Sequence, residues 1–187
     1  MRDTDRRVRF TKMTLRESLI KLLEEKNIAE ISVTELCRCA DVNRGTFYAH
    51  YRQPSDVLVD IEENLISELS EIMRRDNTME NIHYEILNCL HNNRKVCRML
   101  LGPNSSQAFM QRVTEMSIEK FSVMWSASLD LSAKNLDHLH RFMFAGTSEI
   151  IRYWLMNDEN LSPSEIATTI TDIQRRILQI MKLDPLH

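Results

Sequence analysis

The stretch Ser32–Tyr51, SVTELCRCADVNRGTFYAHY, restricts the fold more than any other part of this 187-residue chain. Ser32-Val33-Thr34-Glu35 has the spacing of a capping box, in which the Ser hydroxyl accepts from the free amide of Glu35 and the Glu side chain reaches back. A helix therefore opens at about Val33, and Leu36, Cys37 and Ala40 share its inner face. Asp41-Val42-Asn43 then makes a turn, with Val42 directed at the core. Asn43 is placed to cap a second short helix whose first turn is Arg44, Gly45 and Thr46. Two short helices joined by about three residues and packed on a longer one make a helix-turn-helix.

The longer helix is present upstream. Leu15, Leu19, Leu22 and Leu23 recur at i, i+4, i+7 and i+8, which predicts an amphipathic helix from about Phe10 to Lys26. Asn27 follows where a helix can end on a left-handed residue. The segment before it is basic at Arg2, Arg6, Arg7, Arg9 and Lys12. It reads either as a frayed terminus or as an arm that lies along DNA phosphates or enters the minor groove.

Composition agrees with helices throughout. Only three Gly and four Pro interrupt a chain rich in Leu, Ile, Met, Glu and Lys, and 43% hydrophobic content is enough for a real core. No apolar run approaches the roughly 18 residues that a membrane span needs, and MRDTDRRVRF lacks the apolar region of a signal peptide, so a cytoplasmic protein is expected. The net charge of −3 is unevenly placed. Residues 1–52 hold 11 Lys/Arg against 8 Asp/Glu, and the remainder holds 13 against 19. A basic first module suits nucleic acid and an acidic remainder does not.

The run T-E-L-C-R-C-A-D-V-N-R-G-T-F-Y-A-H-Y at 34–51 resembles the amino-terminal signature of the tetracycline-repressor (TetR) family of bacterial transcription regulators. Its most specific piece is G-T-F-Y-x-H-aromatic at 45–51. The chain departs from the family pattern at Asp41, where Gly is usual, and at Pro54, where many members carry a Lys that touches phosphate. The first departure strains or reshapes the turn; the second leaves that contact absent or supplied by Arg52. The resemblance implies binding to a double-stranded DNA operator as a homodimer, with the last two long helices of each subunit forming the dimer interface and a small-molecule effector or a protein partner as the signal.

The residues themselves support a DNA-reading face. Arg44 is the candidate base reader, because a guanidinium pairs bidentately with guanine O6 and N7 in the major groove. Thr46 and Tyr48 offer hydroxyls, His50 reaches a phosphate, and Gly45 lets the backbone come close. Ser32 and Thr34 place hydroxyls and free amides near the sugar-phosphate backbone, and Asn43 caps the reading helix. Leu36, Val42, Phe47 and Tyr51 are assigned to the core.

Pro54 fits the first position of the next helix, with Asp56 in its first turn. Val57, Leu58, Ile61, Leu65, Ile66, Leu69, Ile72 and Met73 carry that helix for about five turns. Further helices are predicted at about Met79–Asn92, around Val96–Leu100 with a stop at Gly102-Pro103, and from Ser105 or Ser106 to about Leu129. The last two, Asn135–Met156 and Pro163–Lys182, have wide apolar faces suited to dimerisation. Gly146 lies inside the first of them, where close helix packing would explain a residue costing about 1 kcal/mol relative to Ala. Met79, Met99, Phe109, Phe121 and Trp125 are what any helical core contains, and no set of residues singles out an effector pocket.

Chemistry is poorly supported. G-x-S-x-G, a phosphate-cradling Gly loop and H-E-x-x-H are absent, and His138 and His140 face different sides of a helix. His83, His91, His138 and His140 are expected in surface or satisfied roles. Cys37, Cys39, Cys89 and Cys97 lack metal-ligand spacing and are expected reduced. The expectation is thus an all-α protein without cofactor, metal or catalysis. It comprises a three-helix helix-turn-helix domain (1–53) and a helical bundle for effector binding and dimerisation (54–187). Its expected work is sequence-specific regulation of transcription, as a repressor released from a palindromic operator by a small molecule. The alternative is an activator or adaptor that depends on a protein partner, with conditional DNA binding.

Overall fold

The computed structural model describes residues 2–75, 78–102, 107–126, 129, 131–157 and 160–183. Among them only helices and their connections occur. The chain forms two compact units, and the boundary between Leu65 and Ile66 lies inside one long helix.

The first unit begins with α1, Arg2–Leu23, which turns Leu15 and Leu19 fully away from solvent. The basic segment ahead of Phe10 is the opening of this helix, not a separate arm, because nothing before Phe10 breaks the helical run. At the other end Asn27 is extended, with φ −74° and ψ 151°. It starts a single 3-10 turn, Ile28–Glu30, and its amide donates to Glu30 Oε2 at 2.9 Å. The predicted left-handed ending at Asn27 is therefore wrong: a residue whose N–H is capped by the side chain three positions on stays extended.

α2 spans Val33–Ala40, as predicted, and buries Leu36, Cys37 and Ala40. Ser32 Oγ accepts from the Glu35 amide at 3.1 Å. The Glu35 carboxylate is drawn chiefly to Lys26 Nζ, 2.5 Å away, and this bond is the first cause holding its pKa below the ordinary value. α3 is the five residues Arg44–Tyr48, with Phe47 fully buried. α4, Pro54–Arg74, opens on the predicted proline, and Asp56 accepts from the Arg52 amide at 2.8 Å and the Gln53 amide at 3.3 Å. Val57, Ile61, Leu65, Ile66, Leu69 and Ile72 line its buried side, while Leu58 and Met73 are half-buried.

The second unit contains α5 (Met79–Asn92), α6 (Arg94–Leu100), α7 (Gln107–Ser126), α8 (Ala133–Asn157) and α9 (Pro163–Leu183). The predicted signals at Pro103, Ser105 and Ser106 lie outside the described residues. α8 starts two residues earlier than predicted, with Ser132 Oγ accepting from the Asn135 amide. α9 starts on a full capping box: the Glu165 amide donates to Ser162 Oγ at 3.3 Å and the Ser162 amide to Glu165 Oε2 at 2.8 Å.

Buried polar pairs join these helices. His83 Nδ1 on α5 is 2.9 Å from Thr171 Oγ1 on α9, and His140 Nε2 on α8 is 3.3 Å from Ser117 Oγ on α7. Gln174 on α9 donates to Thr147 on α8, and Arg94 and Arg98 on α6 donate to the carbonyls of Trp154 and Leu155. Ile82, Phe121, Trp125, Leu139 and Met143 fill the space between them. No Cβ added at Gly146 would meet a neighbour within 4 Å, so close packing within the chain does not explain that glycine.

Candidate nucleic-acid interface

The turn between α2 and α3 sets the geometry. Asp41 adopts φ 51°, ψ 43°, and is the only non-glycine with positive φ among the described residues. Its amide donates to Arg38 O at 3.4 Å and the Val42 amide to Cys37 O at 3.0 Å, the two bonds of a Schellman ending. Aspartate thus occupies the left-handed position that glycine fills most cheaply, and the turn keeps its shape at the expense of strain. Val42, whose amide is held by Cys37 O in this ending, is half-buried instead of plugging the core.

Asn43 then caps α3, its Oδ1 accepting from the Gly45 amide at 2.8 Å. A Cβ at position 45 would stand 3.3 Å from that same oxygen, so glycine there protects the cap. Beyond the cap, Phe47 turns inward and meets the Tyr51 ring, 5.9 Å between centroids. Arg44, Thr46 and Tyr48 are left exposed on the other side, and His50 is half-buried. Tyr48 is held edge-on to Phe47 at 5.5 Å and 80° and remains 53% exposed. The side chains of Arg44, Thr46 and Tyr48 make no hydrogen bond or ion pair among the described residues, so their donors are available to a ligand. Ser32 and Thr34, at the start of α2, are exposed as well, although the Ser32 hydroxyl is committed to its cap.

One cluster has no signature in the sequence. Asp60 Oδ2 on α4 accepts from Tyr51 Oη at 2.6 Å and from Arg16 Nε on α1 at 2.7 Å. Lys12 Nζ lies 3.8 Å from Asp60 Oδ1 and 5.3 Å from the centre of the Tyr51 ring. Burial pushes the Asp60 carboxyl up, but the bonds from Arg16 and Tyr51 outweigh it and hold the group below the ordinary value. Lys12, the last cation of the segment read as either a frayed terminus or a phosphate-binding arm, is engaged here. Its partner Asp60 is 44 and 48 residues from Arg16 and Lys12, beyond the reach of any local pattern.

No cluster of His, Cys, Asp and Glu suited to a metal occurs among the described residues. Cys37 is buried and Cys39 exposed, on opposite sides of α2, and burial pushes the Cys97 thiol up to about 12. No helix of the described residues is long and apolar enough to cross a membrane.

Together these features define an all-α helix-turn-helix protein that offers a short polar helix to a partner. Residues 77–176, more than half of the chain, match the family described as the TetR-type transcriptional regulator C-terminal region, and the chain belongs to the TetR family of transcriptional regulators. Members of that family bind DNA and act as dimers. The chain is 22% identical over 169 residues to an uncharacterized HTH-type transcriptional regulator, YxbF, of Bacillus subtilis (strain 168). The alignment takes in 85% of this chain, which spans less than half of that relative's length, 43%. Among solved structures, a TetR transcriptional regulator from Streptococcus agalactiae 2603V is 23% identical with a TM-score of 0.67, covering 91% of this chain and 97% of that one. NalD, the secondary repressor of the MexAB-OprM multidrug efflux pump in Pseudomonas aeruginosa, is 17% identical with a TM-score of 0.69, covering 94% and 97%. These structures share the fold.

Proposed function

We propose that this protein is a homodimeric repressor that reads a palindromic operator through α3 and is released by a small molecule. Residues 1–53 bind DNA, and residues 54–187 dimerise and receive the signal. The observation that carries the reading is the exposed row on α3, where the side chains of Arg44, Thr46 and Tyr48 make no hydrogen bond or ion pair among the described residues while Asn43 and Phe47 hold the helix in place. Arg44 reads a base, Thr46, Tyr48 and His50 position it on phosphates, and Gly45, Ser32 and Thr34 allow close approach of the backbone.

Dimerisation is supported by apolar side chains left outside the protomer on α8 and α9. Phe142 is 66% exposed, Tyr153 60% and Ile180 65%, and a groove of about 250 Å³ between the two helices is lined by Phe142, Gly146, Ile150 and Ile173. A second copy covering this face would bury them and give Gly146 its neighbour. The repressor assignment rests on economy: occupying an operator is enough to block transcription, whereas activation needs a further contact. Support for an effector comes from the interior of the second unit. Trp125 Nε1 and His140 Nδ1 are buried without a partner among the described residues, and their rings are 5.6 Å apart. A polar guest or an ordered water there would satisfy both groups.

The test is selection of bound duplexes from a random pool, followed by titration of Arg44→Ala on the selected duplex. The variant is expected to lose about 1–3 kcal/mol of discrimination at one base pair of each half-site. Unchanged affinity for both selected and random duplex would remove the assignment.

A further inference from the structure

The Asp60 cluster joins three segments of the first unit. Tyr51 is the third residue after α3, and its amide still donates to Phe47 O at 2.9 Å, so its position follows that helix. Its hydroxyl is tied to Asp60 on α4, and the same carboxylate oxygen takes Arg16 from α1. Two cations of α1, Arg16 and Lys12, face this one carboxylate. A cation engaged in this way is withheld from phosphate, where it would add affinity without regard to sequence.

The geometry points to Asp60 as the positioning residue that sets sequence discrimination: it anchors α3 through Tyr51 and keeps the Arg16 and Lys12 charges off the DNA backbone. Removing the carboxylate charge has two consequences of opposite sign. The tie of the reading helix to α4 weakens, because an amide oxygen accepts from Tyr51 Oη less strongly than a carboxylate does, and binding to the preferred sequence falls with it. The two released cations gain phosphate contacts, which strengthens binding to any sequence. Tyr51→Phe separates the two, since it keeps the ring on Phe47 and leaves the ion pairs intact.

The inference rests on the DNA-reading assignment, and the experiment distinguishes failure of either. Duplexes selected by the wild-type protein and a scrambled duplex of the same composition are titrated with wild type, Asp60→Asn and Tyr51→Phe over a series of salt concentrations. Asp60→Asn is expected to lower the ratio of selected to scrambled affinity about tenfold, the difference between a charge-assisted and a neutral hydrogen bond. Its affinity for scrambled duplex rises, and its salt slope steepens by about 1–2, one for each cation released. Tyr51→Phe lowers the ratio without changing scrambled affinity or slope. Thermal melts of all three proteins report folding. Variants that change only the melting temperature, with ratio and slope as in wild type, would overturn the inference. A wild type without salt-dependent DNA binding would instead overturn the function on which it rests.

Discussion

Asp41→Gly should make the protein more stable. The position has φ 51°, and the Asp41 side chain makes no hydrogen bond among the described residues that would offset a left-handed backbone. That backbone costs a residue with a Cβ about 1–2 kcal/mol relative to its ordinary conformation. A carboxylate at the carboxy-terminal end of α2 also opposes the helix dipole, a further small cost. Glycine removes both, while raising the entropy of the unfolded chain by the equivalent of about 0.4–1 kcal/mol. The net gain is about 1 kcal/mol, or a rise of about 2–4 °C in melting temperature for a chain of this size. Thermal unfolding followed by circular dichroism reads it directly. Asp41→Asn, which removes the charge and keeps the left-handed side chain, should fall between wild type and glycine. If Asp41→Gly melts at or below the wild-type temperature, the strain assigned to this turn does not exist.

Asn43→Ala removes the cap from a five-residue helix and should cost about 1 kcal/mol in a denaturant melt. Phe142→Asp, at a residue already two-thirds exposed, should keep the helical spectrum and sediment as a monomer; an unchanged dimer would move the interface elsewhere. Burial lowers the pKa of His83 from 6.5 to about 4. The unfolded chain takes up a proton first, so stability is complete above about pH 6.5 and is lost as pH falls toward 4, by at most about 3 kcal/mol. Denaturant midpoints measured at successive pH values should show this slope in wild type and its loss in His83→Gln.

Much of the first unit is legible in the sequence, because its signals are local. A Ser, an Asn and a Pro at helix starts act over three or four residues, and they place α2, the α3 cap and the opening of α4 where they are found. The Ser162–Glu165 box is an equally local signal, although the expected start of α9 rested on Pro163 and periodicity alone. Helical periodicity likewise locates α5, α8 and α9 to within about two residues, since burying one face imposes a repeat on the sequence. Asn27 and Val42 differ from expectation for a related reason: propensity names the residues that tolerate a left-handed or buried place, and neighbours decide which one takes it.

What the sequence by itself determined is an all-helical chain with a capped helix-turn-helix, an inward Phe47 and an outward row at Arg44, Thr46 and Tyr48. Each of these depends on residues within one or two turns. The tertiary structure decided that Asp41 bears the left-handed turn and that Lys12 and Arg16 answer to Asp60. It also decided that His83 is buried against Thr171 and that Phe142 and Ile180 are left outside the protomer. Those outcomes join positions as many as 88 residues apart. Such partners are chosen by how helices pack, and no local pattern in the chain encodes that choice.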